Sequence, residues 1–193
     1  MYSKVRVVMK DIVQGNGIPS SNADGRIYVR AAVESDLETV NKLLYQVEDL
    51  HRLGRPDLFK PGEKKYTDEQ ILDIFKNPGT PVFVAVERAV GEAVADEGLE
   101  GKVLGYVFCV LKETRGEKAV FDHTTLYIDD LCVDESARGK GVGKILYEYA
   151  VEYARSIGCH NVTLHVWDKN PGARAFYEKM GMGVQQTTME VLL

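Results

Sequence analysis

The sequence predicts an α/β fold, a mixed sheet with helices on both faces. Three observations predict it: β-branched runs with two-residue alternation, amphipathic runs at helical spacing, and their order of strand, two helices, three strands, then strand–helix alternation. Ile27 to Arg30 reads as the first strand. Ser35 then starts a helix, with Glu38 completing a capping box, and Leu37, Val40, Leu43, Leu44, Val47 and Leu50 form its apolar face. Gly54, Pro56, Pro61 and Gly62 make His51 to Gly62 a loop. Thr67 and Gln70 cap a second helix carrying Ile71, Leu72, Ile74 and Phe75, and Asn77-Pro78-Gly79 stops it.

Pro81 to Glu87 alternates and reads as a strand. Ala89 to Lys102 is acidic and reads as an exposed hairpin loop, followed by strands over Val103 to Lys112 and Thr124 to Val133. After a glycine turn, Val142, Ile145, Leu146, Tyr149, Ala150, Tyr153, Ala154 and Ile157 share one helical face, which Gly158 closes. Asn161 to Trp167 reads as a strand, and Asn170-Pro171 as a capped helix start that runs to Gly181. Val184 to Leu193 reads as a final strand.

Domain organisation follows. Residues 1–25 form an N-terminal extension, rich in Gly, Asn and Ser from Gly15 onward, with a short strand candidate at Val5 to Val8 that is either an added edge strand or a flexible lead-in. Residues 26–193 form one domain, and the 193-residue length suits that count. Composition is ordinary for a soluble protein, with 45% hydrophobic and 27% charged residues. No apolar run is long enough to span a bilayer, and Met1 to Asp11 does not read as a secretory signal, so no membrane association and a cytoplasmic location are expected. A net charge of −5 disfavours a nucleic-acid partner and leaves room for a cationic substrate. Cys109, Cys132 and Cys159 lie in apolar segments and read as buried free thiols. His123, His160 and His165 have no metal-like spacing, so no metal is expected, and Trp167 reads as packing.

The informative stretch is Arg138-Gly139-Lys140-Gly141-Val142-Gly143, which joins a strand to a long helix. Glycines let backbone come close to a ligand, and the first helical N–H groups lack internal partners, so the turn suits an anion such as a pyrophosphate. Arg138, Lys140 and Lys144 add positive charge. The spacing fits neither a P-loop nor the dinucleotide fingerprint, and an ordinary glycine-rich turn is the competing reading.

Leu131-Cys132-Val133-Asp134-Glu135 followed by Arg138 to Gly143 resembles the Arg/Gln-x-x-Gly-x-Gly/Ala signature of the GNAT N-acetyltransferase superfamily. Asn170 to Gly181 resembles that family's Asn-x-x-Ala-x-x-Phe-Tyr-x-x-x-Gly helix. The likeness covers Tyr127 to Met182 well and is weak upstream; its motif spacing is similar to that of diamine acetyltransferases, without fixing the acceptor.

The resemblance implies a single-domain GNAT fold with a mostly antiparallel sheet splayed between the fourth and fifth strands. It implies acetyl-CoA as cosubstrate: backbone of Leu131, Cys132 and Val133 pairing with the pantetheine, N–H groups from Arg138 through Gly139, Lys140, Gly141, Val142 and Gly143 to Lys144 on the pyrophosphate, and Asn170 and Ala173 bordering the arm. It puts Tyr177 at the general acid, against the alternative of a helix-surface tyrosine beside Phe176. Asp129 aligns with a carboxylate base, while Asp130, on the opposite face by alternation, orients a turn or the acceptor; a purely structural pair of carboxylates is the competing reading. A backbone N–H near Cys132 or Val133 would hold the oxyanion.

Cys132 as an acyl carrier lacks a local partner base and reads instead as a buried thiol. Glu48 and Asp49 read first as a solvated helix end, with attraction of an ammonium group as the alternative, and His51 is a candidate acceptor contact. The expected activity is acetyl transfer from acetyl-CoA to a primary amine of a small molecule or protein in a ternary complex, with a non-catalytic acyl-CoA sensor as the alternative. A homodimer paired through the last strand is a family expectation.

Overall fold

Val82–Glu87 is buried on both faces up to its last residue, so it lies inside a sheet with cover on each side. In the computed structural model, which describes residues 21, 25–88 and 101–193, that sheet has five strands in sequence order. They are β1 (Ile27–Ala31), β2 (Val82–Glu87), β3 (Lys102–Thr114), β4 (His123–Val133) and β5 (Asn161–Leu164). The first three pairings are antiparallel, and β4 and β5 are parallel. Val5 to Val8 and most of the acidic 89–102 segment lie outside the described residues.

Four helices cover the sheet: α1 (Leu37–Gly54), α2 (Asp68–Lys76), α3 (Val142–Ser156) and α4 (Pro171–Lys179). Two-residue alternation divides β2 between two cores. Phe83 and Ala85 meet Val142, Leu146, Ala150 and Tyr153 of α3, while Val82, Val84 and Val86 meet Val40, Leu43 and Leu44 of α1 and Ile71 of α2. This is the expected α/β architecture, a mixed sheet with helices on both faces. Among the described residues no helix is long and apolar enough to cross a membrane.

Several local expectations are corrected. The Ser35–Glu38 box is absent: Asp36 stands at the helix N-cap without a side-chain cap bond and turns back to the chain before it. Its carboxylate accepts the Val33 N–H at 2.8 Å and is gripped by the Arg30 guanidinium at 2.6 and 2.8 Å. The first helix also runs on through His51 and Arg52, whose place in its last turn suits the helix dipole, and ends at Gly54. Leu50 leaves the core and is 46% exposed. The Thr67–Gln70 box forms as read, with Gln70 N–H donating to Thr67 Oγ1 and Thr67 N–H to Gln70 Oε1.

Two strands differ more. β5 stops at Leu164, three residues before Trp167, and 184–193 forms no strand: Val184, Met189, Val191 and Leu192 are exposed, and no described strand edge pairs with them. β-branched content favours a strand only where a neighbour supplies the ladder and the packing. Cys109 and Cys132 are buried free thiols, while Cys159 is only partly buried.

Candidate active site

The pairing of β4 with β5 ends at Ile128–Leu164, whereas β4 remains paired with β3 as far as Val133. Asp129 to Val133 therefore present one backbone edge with no described strand beside it. A β-bulge adds to the departure. Phe108 pairs with Asp130 and Cys109 with Ile128, so Asp129 is the extra residue. The bulge also breaks the alternation expected for the two aspartates. Asp129 meets Tyr66 and Asp130 meets Tyr106, and both tyrosines belong to the core on the α1–α2 side.

Beyond β4, Asp134 caps a short turn by accepting the Ser136 N–H at 2.9 Å, and the chain then enters the glycine turn. Gly139 and Gly141 have φ of 79° and 82°, the left-handed region that a side chain disfavours, which lets the backbone fold back before α3. Among the described residues the N–H groups of Gly139, Gly141, Val142, Gly143 and Lys144 have no acceptor. The Arg138 and Lys140 amides instead bond inward to Glu135 and Ala137 carbonyls. The Lys140 side chain also stays off the cleft wall that the other thirteen expected site residues reach.

That cleft encloses about 1060 Å³ and runs from the glycine turn, along the open β4 edge, to α1. Its far wall is α4, positioned by Asn170, whose Oδ1 accepts the Ala173 N–H at 3.1 Å. Tyr177 faces the cleft, packed against Phe176 and Tyr147 with ring centroids 5.1 and 6.2 Å away. Burial, then the Asp130 carboxylate, pushes its phenol well above the usual range, so it keeps its proton at neutral pH.

The two aspartates have different partners. Asp129 Oδ2 accepts from Lys65 Nζ at 2.8 Å and from Tyr66 OH at 2.5 Å. Asp130 accepts the neutral Tyr106 hydroxyl at 2.7 Å and the Leu131 backbone N–H, neither of them charged, and burial pushes its carboxyl up to about 6. Cys132 is buried, with its thiol pushed up to about 12 by burial and its Sγ directed at the Leu43 carbonyl at 3.5 Å.

The α1 end of the cleft carries Glu48, His51 and Leu50, faced by Phe59, Lys65, His165 and Trp167. Burial raises the Glu48 carboxyl and lowers the His51 imidazolium. Asp49 points elsewhere, onto Arg52. Trp167 is more than packing: it is 41% exposed, lines the cleft and meets Phe59 edge-on at 5.6 Å. Lys65, Tyr66 and Tyr106 carry no motif; the Lys65-Tyr66 pair before a helix cap is their only local signal, whereas Phe59 lies in the Arg55–Phe59 stretch of the loop expected to cover the acceptor. No metal-like group of His, Cys, Asp or Glu occurs among the described residues.

A sheet parted beside an amide-rich turn defines a protein that can lay an anionic, amide-bearing arm along a strand edge. Residues 46–182 match the model of the Acetyltransferase (GNAT) family. The chain is 36% identical over 163 residues to a glucosamine 6-phosphate N-acetyltransferase of Trypanosoma brucei brucei, covering 84% of this chain and 93% of that protein. A mutant of the BH1408 protein of Bacillus halodurans superposes with a TM-score of 0.75 at 31% identity, covering 86% of this chain and 98% of that one. An aminoglycoside acetyltransferase from an uncultured soil metagenomic sample, in complex with sisomicin, has a TM-score of 0.63 at 17% identity, covering 89% and 98%, and shares the fold. The chain belongs to the GNAT family of N-acetyltransferases, enzymes that use acetyl-CoA as cosubstrate.

Proposed function

We propose that the chain moves the acetyl group of acetyl-CoA to a primary amine by direct attack within one ternary complex. The observation that carries this reading is the open β4 edge after Ile128, lying between the free amides of Gly139 to Lys144 and the phenol of Tyr177. In this reading Leu131, Cys132 and Val133 pair with the pantetheine amides. Gly139, Gly141, Val142, Gly143 and Lys144 hold the pyrophosphate, with Arg138 and Lys144 supplying charge and Asn170 and Ala173 bordering the arm.

Asp130 takes the proton of the attacking ammonium, directly or through one water, because no cation is bonded to it and burial raises its carboxyl to about 6. Asp129, clamped by Lys65 and Tyr66, positions the bulge. The new N–C bond forms as the C–S bond breaks and Tyr177 donates its proton to the departing thiolate; the second proton shed by the acylated nitrogen restores the phenol through water, and Asp130 returns its own proton to solvent. The two steps are coupled. Ionised Asp130 raises Tyr177, so protonating Asp130 makes the phenol a better donor as the thiolate appears.

Direct attack is favoured over an acyl-enzyme because the Cys132 thiol stays protonated and faces the Leu43 carbonyl. Thiol release from acetyl-CoA, measured across a set of amines, should give intersecting double-reciprocal lines. Cys132→Ala should retain turnover within about threefold, with a loss of about 1 kcal/mol in denaturant stability from the small cavity. Parallel lines together with a dead Cys132→Ala would establish the covalent route instead.

A further inference from the structure

We propose that the acceptor is a small polycation, an amine carrying at least one further ammonium group on an apolar stem and no phosphate. The proposal rests on the acetyltransferase reading above and concerns the half of the cleft beyond Asp130.

Three carboxylates line that half, from Glu48, Asp129 and Asp130, against a single lysine, Lys65. Lys65 is committed to Asp129 at 2.8 Å. Glu48 has only His51 beside it, at 3.9 Å, and burial holds that ring toward its neutral form. Asp130 has only uncharged donors, the Tyr106 hydroxyl and the Leu131 backbone N–H. Two partly buried carboxylates thus face the cleft with no lysine or arginine paired to them among the described residues, an arrangement that is costly until a cation arrives. A ligand with two ammonium groups matches both: one at Asp130, where it loses its proton and reacts, and one at Glu48.

The same cleft suits the rest of such a molecule. Leu50 and Trp167 offer exposed apolar surface for a stem, and the rings of Trp167 and half-buried Phe59 offer faces for a cation. The protein already uses Trp167 this way, since the Arg55 guanidinium lies 5.9 Å from its ring centroid.

A phosphate finds no such welcome. Arg55 is closed by Asp57 at 2.7 Å and by Glu190 at 2.8 Å. Arg138 and Lys144 stand at the amide turn, at the other end of the cleft. A phosphate dianion near Glu48 would meet like charge, which costs several kcal/mol when desolvated. On this point the chain departs from what the name of its trypanosomal relative specifies.

The test is thiol release from acetyl-CoA by the full chain with diaminobutane, butylamine and glucosamine 6-phosphate, the first two differing only in the second ammonium group. Diaminobutane should exceed each of the others at least tenfold in kcat/KM. Glu48→Gln should cut the diaminobutane value about tenfold through KM and narrow its lead over butylamine, while the calorimetric affinity for coenzyme A stays unchanged. A ratio near one between diaminobutane and butylamine, or a preference for glucosamine 6-phosphate, overturns the proposal and leaves the acetyltransferase reading standing. Thiol release with no amine at all, despite bound coenzyme A, removes both.

Discussion

Asp130→Asn should lower kcat/KM by about 10²–10⁴-fold at neutral pH, the range expected when a general base is lost. The same change should stabilise the fold. Burial raises the native carboxyl from 3.8 to about 6, so above pH 6 the folded chain carries a charge that the unfolded chain accommodates more easily. A raised acid contributes stability that is complete below 3.8 and lost as pH rises through about 6. A shift of about two units corresponds to an upper bound of roughly 3 kcal/mol. Asparagine removes that cost and still accepts the Tyr106 hydroxyl. Denaturant titrations should therefore show Asp130→Asn more stable than wild type at pH 8 by about 1–3 kcal/mol, with the difference gone at pH 3.5. Wild-type kcat at saturating acceptor should fall as pH drops through 6, and the variant should lack that limb. An inactive variant with no gain in stability at pH 8 would mean that Asp130 is a structural hydrogen-bond acceptor only.

Tyr177→Phe should lower kcat by about 10²-fold while leaving coenzyme A affinity within about twofold, since the ring keeps its contacts with Phe176 and Tyr147. The loss should shrink with an acetyl donor whose thiol is more acidic, because a better leaving group needs less help from a donor. Rapid-quench measurement of the acetyl-transfer step separates this from slow product release. Full turnover by the variant with both donors would remove Tyr177 from the chemistry.

What was readable in the sequence was whatever depends on neighbours along the chain. The glycine turn, the Asn170 cap and the apolar faces of α1 and α3 are local patterns, and each formed where it was read except at Leu50, the exposed end of the α1 face. What depends on partners distant in sequence was not readable. Even over six residues, the hold of Arg30 on the Asp36 carboxylate depends on how β1 turns into the helix, which no capping pattern announces. The different circumstances of Asp129 and Asp130 come from a bulge, from Lys65 and Tyr66 some sixty residues upstream, and from Tyr106 across the sheet. Alternation alone put these two side chains on opposite faces, and one extra residue in the strand was enough to undo that. Trp167 lies beyond the end of β5 because the strand parts from β4 at Leu164, and no pattern in Asn161 to Trp167 marks that point. In the same way 184–193 has strand composition without a strand, since composition cannot say whether an edge is available.

The central claim is that the parted β4 edge and the turn before α3 together receive the cosubstrate. Amide hydrogen exchange of the full chain, with and without coenzyme A, tests it most directly. New protection is expected at Leu131 and Val133, at Gly139 and at Gly141 to Lys144, with little change at Cys132, whose amide is turned toward β3 by alternation, or at Arg138 and Lys140, whose amides are already bonded inward. Tight binding of coenzyme A with those amides exchanging as before, and protection appearing elsewhere, would contradict it.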